Sequence, residues 1–229
     1  MQERHFLQDL YFLNKNIWHE HLHLSKWKNL LLEHAITPIQ QYGYTTGKNA
    51  TDSAMIIDAM DILYSGKVNG FCLVSSDSDF TRLATRLREA GMQVIGIGEK
   101  KTPNPFIVAC DKFVYIEILK AKTKEKESEE TTDSDKVIFD KITTKELKLI
   151  MTTITNLSDD EGWAFLGDVG SLLQKKQPNF DPRNYGFQKL TPLIKSTGKF
   201  EIEQREISKS KNKLIYVKNK EKRTTSGHK

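Results

Sequence analysis

Two short acidic motifs in the first half of the chain have the residue types of a metal site. The stretch SSDSD at residues 75–79 follows the apolar run GFCLV directly, and KNATD at residues 48–52 follows a glycine-containing loop. Carboxylates and hydroxyls are the hard oxygen ligands that Mg²⁺ and Mn²⁺ prefer. The same residue types cap helices, but one acid satisfies a cap. Two acids and three hydroxyls exceed that need, so the first motif predicts a metal or catalytic site.

Strand-like and helix-like segments alternate around these motifs. Short apolar runs typical of buried strands occupy residues 36–40, 70–74, 92–97 and 113–116, and helical spacing occupies residues 52–64, 80–90 and 105–109. This alternation predicts an α/β fold with a doubly wound parallel sheet. The carboxyl ends of neighbouring parallel strands meet at one edge of the sheet. We therefore expect Asp52, Asp77 and Asp79 to lie together there.

A charged stretch at residues 120–136 separates this half from a second domain. It contains no aromatic or large apolar residue, so it predicts a flexible linker. Helical spacing then covers residues 144–156, 163–174 and 182–196, and strand-like patterns cover residues 200–205 and 213–217. Three helices followed by a hairpin predict a small winged-helix α+β domain at residues 137–218, with a basic tail at 219–229. Within it, Trp163, Phe165, Leu172 and Phe187 are expected to pack in the core.

The charge of the chain is unevenly distributed. The net charge is +5; residues 1–120 carry 13 basic and 13 acidic side chains, whereas residues 136–229 carry 19 basic and 11 acidic ones. An excess of Lys and Arg is typical of proteins that bind a polyanion. In the second domain, the residues expected to contact phosphates are Lys175, Lys176 and Arg183.

The composition excludes several classes of protein. With 38% hydrophobic and 28% charged residues, the chain is typical of a soluble globular protein rather than a disordered one. No apolar run approaches the roughly 20 residues of a membrane span, and the N-terminus is unlike a signal peptide. Cys72 and Cys110 lie in apolar contexts, which predicts two buried thiols in a reducing compartment, the cytoplasm.

Both halves of the chain resemble known families. Three stretches between Trp27 and Glu117 resemble the NYN domain, a branch of the PIN-like ribonuclease fold: KNATDSAMIIDAMDILYSG, GFCLVSSDSDFTRLATRLREAG and IGIGEKKTPNPFIVACDKFVYIE. We place this domain at residues 25–119. The second half resembles the OST-HTH (LOTUS) winged helix in the stretch EGWAFLGDVGSLLQKKQPNFDPRNYGFQKLTPLIKS.

The resemblance implies a metal-dependent phosphodiesterase that acts on RNA with Mg²⁺ or Mn²⁺. The residues that match metal-binding and catalytic positions of the family are Asp52, Asp77 and Asp79. Those that would orient the carboxylates or water are Asn49, Ser75 and Thr81. Those in matching loops that would hold the RNA backbone are Lys48, Lys100 and Lys101. For the second domain, the resemblance implies RNA binding or a protein partner.

The N-terminus departs from the family. NYN domains begin with a strand that ends in an Ile-Asp-x-x-Asn type motif, and residues 1–24 contain no such motif; Asp9 has no companion Asn. We therefore expect this strand to be altered or missing, with residues 1–24 left unmatched. Two functions stay open: a ribonuclease, or a catalytically weak or inactive RNA-binding adaptor. A third, a DNA-binding transcription factor, depends on the winged-helix shape alone.

Overall fold

The computed structural model describes residues 10–14, 29, 31–34, 37, 50–119, 139–206 and 213–220. The chain divides into two compact units, residues 1–117 and 118–229, and each is described here by itself. Lys48, Asn49 and the predicted linker at 120–136 lie outside the described residues, as do all but one of the residues of the strand expected at 36–40. Among the helices of the described ranges, none is long and apolar enough to cross a membrane.

Among the described residues, a parallel sheet of four strands forms the centre of the first unit. The strands are β1 (Leu10–Asn14), β2 (Gly70–Val74), β3 (Gln93–Gly98) and β4 (Lys112–Tyr115), in the order β1-β2-β3-β4. Each strand pairs in parallel with the next. The predicted α/β fold with a parallel sheet is therefore confirmed.

The first strand, which we expected to be altered or missing, is present as β1. It pairs with β2 along its whole length, from Leu10 opposite Gly70 to Asn14 opposite Val74. The expectation that residues 1–24 lie outside the α/β domain is therefore wrong for this segment. The sequence of β1, LYFLN, contains no acidic residue. Backbone pairing with β2 defines the strand here, without the acidic motif of the family.

Helices cover the sheet and close the core of the first unit. They are α1 (Ala50–Ser65), α2 (Thr81–Glu89) and α3 (Asn104–Ala109), with a 3-10 turn at Ser78–Phe80 and a helical stretch at 116–119. Phe71 and Leu73 of β2 are fully buried and belong to one core cluster with side chains from α1, α2 and α3, among them Met55, Leu87 and Phe106. Cys72 lies between them on the opposite face and is 1% exposed, so β2 is buried on both faces, as its continuous apolar sequence indicates.

Two glycines in β3 make room for close packing. A Cβ atom at Gly96 would lie 2.5 Å from the Phe113 ring, and one at Gly98 would lie 2.5 Å from the Ser75 carbonyl oxygen. Contacts this short are not tolerated, so these positions require glycine. Gly98 therefore allows the end of β3 to approach the loop that follows β2.

The second unit is a small α+β domain. Its elements are α4 (Thr144–Leu157), β5 (Ala164–Phe165), α5 (Leu166–Lys176), a 3-10 turn at Pro182–Tyr185, α6 (Leu190–Ser196), β6 (Phe200–Glu206) and β7 (Lys213–Asn219). The three strands form an antiparallel sheet in the order β5-β7-β6. The helices and the inner face of this sheet enclose a separate core around Ile150, Leu173 and Val217.

Two details of the second unit differ from the prediction. The single helix expected at 182–196 is divided, because Gly186 adopts a φ of 83° that ends the 3-10 turn. Trp163, Phe165 and Leu172, expected in the core, are only half-buried and are not part of it, whereas Phe187, also expected there, packs against it. Phe165 pairs with Tyr216 on the outer face of the sheet, whereas Val217 faces the core.

Candidate active site

Three carboxylates converge at the carboxyl edge of the parallel sheet. Asp52 lies in the first turn of α1, Asp77 directly after β2, and Asp79 in the 3-10 turn that leads into α2. One carboxylate oxygen from each lies within 4.8 Å of the other two. The predicted juxtaposition of these three side chains therefore exists in the structure.

The loop after β2 is held by hydrogen bonds that fix Asp77. The backbone N–H of Asp77 donates to Ser75 Oγ at 3.1 Å, and the backbone N–H of Asp79 donates to Asp77 Oδ1 at 3.0 Å. Asp77 thus caps the 3-10 turn, the role that its residue type alone would suggest. A carboxylate has two oxygens and about four acceptor sites, so capping by Oδ1 leaves capacity for a second role at this edge.

Burial and charge distinguish the members of the cluster. Asp52 is 6% exposed, Asp77 is partly buried and Asp79 is exposed. Ionised carboxylates this close repel one another, and a divalent cation between them converts that repulsion into attraction. Three carboxylate oxygens at this separation also match the hard oxygen ligands that Mg²⁺ and Mn²⁺ take. The residues present therefore fit a divalent cation.

Of the residues expected to orient the carboxylates, two can be described. Ser75 contacts the backbone of Asp77, as given above, and its own N–H donates to the Ile97 carbonyl at 2.9 Å. The Thr81 hydroxyl donates to the Ser78 carbonyl at 2.6 Å, so it stabilises the turn between Asp77 and α2. Asn49, the third such residue, lies outside the described residues.

An open groove of about 450 Å³ adjoins Asp77. Its polar lining comes from the loop after β2 and from the turn after β3, and comprises Ser75, Ser76, Asp77, Ser78, Glu99 and Lys101. The backbone N–H of Glu99 donates to Ser76 Oγ at 2.8 Å, which joins the two loops. The groove is therefore a second feature of the same sheet edge.

The two lysines expected to hold RNA at this edge lie in the turn after β3. The Lys100 backbone N–H donates to Glu117 Oε1 at 3.1 Å. The Lys101 ammonium lies 2.6 Å from Glu99 Oε2, and this contact holds the pKa of Lys101 above its usual value. Lys101 lines the groove, but its ammonium group forms an ion pair with Glu99. Lys48 lies outside the described residues.

In the second unit, the three cations expected to contact phosphates have different surroundings. Lys175 is exposed at the end of α5. Lys176 Nζ donates to the hydroxyl of buried Thr153 at 3.2 Å. Arg183 forms a two-pronged ion pair with Asp181, with Nε 2.9 Å from Oδ1 and Nη2 2.5 Å from Oδ2. Lys176 and Arg183 thus make contacts within the fold, although Lys176 is exposed, as Lys175 is.

Sequence reasoning did not select Glu99 or Ser76 as site residues. Glu99 directly follows β3 at the same edge as the acidic cluster, and it precedes Lys100 and Lys101. An acid at the carboxyl end of a parallel strand was the available signal. Ser76 stood inside the acidic motif, but its bond to Glu99 depends on the approach of β3 to β2.

Comparison with known families agrees with the resemblance described above. The NYN domain model matches residues 8–117, and the OST-HTH/LOTUS domain model matches residues 139–211. No curated protein matches the chain. A solution NMR structure of an uncharacterized protein from Nitrosomonas europaea is 33% identical over 45% of this chain and 97% of that chain, with a TM-score of 0.36. The NYN match begins ahead of β1.

Proposed function

Because the chain contains an NYN domain at residues 8–117 followed by an OST-HTH/LOTUS domain at residues 139–211, we propose that it is a metal-dependent ribonuclease. The second domain would bind the RNA that the first domain cuts. The observation that carries this proposal is the convergence of Asp52, Asp77 and Asp79 within 4.8 Å at the carboxyl edge of the sheet. NYN and other PIN-like domains generally depend on a divalent metal.

In this proposal, Asp52, Asp77 and Asp79 hold Mg²⁺ or Mn²⁺. A divalent cation bound there supplies Lewis-acid stabilisation of the phosphate and lowers the pKa of a water molecule. The chain supplies the fixed geometry: Asp77 is immobilised by its bond to the Asp79 N–H, and Ser75 holds the Asp77 backbone. Asp52 brings a third carboxylate, 6% exposed, to the same cluster. Lys48, Lys100 and Lys101 would contact the RNA backbone.

The second domain would hold the substrate. OST-HTH/LOTUS domains are RNA-binding modules, and the 19 basic and 11 acidic residues at 136–229 favour a polyanion. Lys175 and Lys176 are the exposed candidates for a phosphate contact. A protein partner of this domain is the competing proposal for the same surface.

We test the ribonuclease with end-labelled single-stranded RNA and Mn²⁺ or Mg²⁺. The variant is Asp77→Asn with Asp79→Asn, and the matched control is Asp58→Asn with Asp61→Asn, which removes two charges from α1 outside the cluster. We expect cleavage to need the metal and to fall at least about 100-fold in the first variant, since even residues that only orient metal ligands cost 10–100-fold. The control should cut like the natural chain.

The runner-up function is an RNA-binding adaptor without catalysis. The observation that favours it is the sequence of β1, LYFLN, which lacks the acid that NYN domains carry at this strand. RNA that is bound but never cut with either metal would establish the adaptor and refute the ribonuclease. Metal-dependent cleavage that is lost in the Asp77→Asn, Asp79→Asn variant would establish the ribonuclease and refute the adaptor.

We propose a cytoplasmic location. Cys72 and Cys110 are buried and are both free thiols. Structural disulfides are typical of oxidising compartments, and two reduced thiols in the core favour a reducing one. Localisation of a tagged chain by cell fractionation tests this proposal.

A further inference from the structure

The groove beside Asp77 has the size of a site for a small ligand or a single nucleotide. Its volume of about 450 Å³ lies within the roughly 300–1,000 Å³ of such sites. Its polar lining consists of three serines, two acidic residues and one lysine: Ser75, Ser76, Ser78, Asp77, Glu99 and Lys101. A nucleotide next to the acidic cluster would therefore meet Glu99 and Lys101 together.

The turn that carries these two residues is firmly held. The carbonyl of Glu99 accepts from both the backbone N–H of Thr102 at 2.9 Å and its hydroxyl at 2.6 Å. Thr102 is 5% exposed. Ser76 accepts from the Glu99 N–H, and Glu117 accepts from the Lys100 N–H. All of these bonds use backbone groups of the turn, so the Glu99 and Lys101 side chains can change partners without disturbing it.

The ion pair between Glu99 and Lys101 is an exposed one. Its atoms lie 2.6 Å apart, while 48% of the Glu99 side chain and 77% of the Lys101 side chain remain accessible. Exposed ion pairs contribute little to stability, so exchanging one partner for another anion costs little. A phosphate oxygen is a stronger competitor than water for an ammonium group.

We propose that Glu99 is a specificity-determining residue that masks Lys101. In the substrate-free protein, the Glu99 carboxylate occupies the position beside Lys101 Nζ that a backbone phosphate of RNA takes in the complex. RNA must displace the Glu99 carboxylate from Lys101, and this displacement costs binding free energy. The groove therefore has a lower affinity for any polyanion that makes no further contacts there. This inference rests on the proposed function, since it takes RNA as the ligand of the groove.

The test compares RNA affinity and kinetics for the full chain and for Glu99→Gln. Glutamine keeps the size of the side chain and every backbone bond of the turn, and it removes the charge. We expect Kd for single-stranded RNA, measured by fluorescence anisotropy in EDTA, to fall about three- to fivefold. With Mn²⁺, KM should fall by a similar factor while kcat changes by less than about twofold.

Two further variants make the result specific. In the Lys101→Met background, Glu99→Gln should no longer lower Kd, because the ammonium group that pairs with Glu99 is absent. Glu89→Gln is the matched charge control, because Glu89 pairs with Arg82 at 3.2 Å at the far end of α2; it should leave Kd within about 1.5-fold.

The outcomes separate the two proposals. An unchanged Kd in Glu99→Gln, or an equal gain in the Lys101→Met background, overturns the mask. RNA bound but never cut refutes the ribonuclease, and the Kd comparison still decides the mask. RNA bound by none of these proteins overturns both.

Discussion

Asp77 has two roles that can be separated by substitution. Its Oδ1 accepts from the Asp79 N–H and caps the 3-10 turn, and the same carboxylate belongs to the acidic cluster. An amide oxygen can cap a turn as well as a carboxylate can, but it carries no charge for a cation. Asp77→Asn should therefore impair metal binding alone, whereas Asp77→Ala should impair both metal binding and the stability of the fold.

We expect Asp77→Asn to change the free energy of unfolding by less than about 0.5 kcal/mol relative to the natural chain. Asp77→Ala should lower it by about 1 kcal/mol, because the cap is lost. Mn²⁺ should raise the Tm of the natural chain, because a ligand that binds only the folded state stabilises it. It should raise the Tm of neither variant. Thermal unfolding with and without Mn²⁺ measures both effects. A Tm of Asp77→Asn that still rises with Mn²⁺ would exclude Asp77 as a ligand.

The two cysteines give a second prediction for single residues. Burial raises the pKa of both Cys72 and Cys110 to about 12, from about 9 in the unfolded chain. Their folded state therefore favours the protonated thiol. Below pH 9 the folded and unfolded thiols are both protonated and the folded state keeps its full stability. As the pH rises from 9 towards 12, each thiol lowers the free energy of unfolding by about 1.4 kcal/mol per pH unit, because only the unfolded chain loses the proton.

Urea unfolding under reducing conditions at pH 8 and pH 10 measures this loss. Between these values the natural chain should lose about 2–3 kcal/mol more than a variant with Cys72→Ala and Cys110→Ala, since other titrating groups are common to both. Equal losses in the two proteins would show that the thiols are not protected by burial.

Ion pairs within turns were predictable from the sequence in principle. Glu99 and Lys101 are two residues apart, and so are Asp181 and Arg183. Both pairs form in the structure, at 2.6 and 2.5 Å. A basic residue selected for phosphate contact should therefore be checked for an acid two residues before it in a turn.

Among the secondary-structure elements, those defined by local signals were predicted well. β2 was expected at residues 70–74 and occupies Gly70–Val74; α1 was expected at 52–64 and occupies Ala50–Ser65. The acidic motif is tied to the end of β2 and the start of α2, so its place at the sheet edge also followed from the sequence. The proximity of Asp52 was predicted from a strand at 36–40 next to β2; all but one residue of that strand lies outside the described residues, and the proximity itself is observed.

Elements that depend on distant partners were not predicted. β1 is a strand because it pairs with β2, and its sequence lacks the acid by which the family is identified. Trp163 and Phe165 are large aromatic residues, which favours a core position, but the register of β5 against β7 places Phe165 on the outer face. Such pairings are set by tertiary contacts that a single sequence pattern does not contain.

At the scale of the whole molecule, the two units have separate cores. One surrounds Phe71 and Phe106, and the other surrounds Ile150 and Leu173. Residues 120–136 connect them and have the composition expected of a linker. If the second domain binds the RNA that the first domain cuts, their connection raises the effective concentration of RNA at the acidic cluster.

Severing that connection tests the cooperation of the two domains. We would insert a protease recognition sequence within residues 120–136 and measure RNA cleavage by the full chain before and after the cut. Loss of the tether should raise KM at least about tenfold while kcat changes by less than about threefold, because only the local supply of RNA is lost. An unchanged KM would mean that the second domain does not deliver the substrate. A fall in kcat at unchanged KM would mean instead that the second domain contributes to the chemistry, since a group required only in the transition state affects kcat.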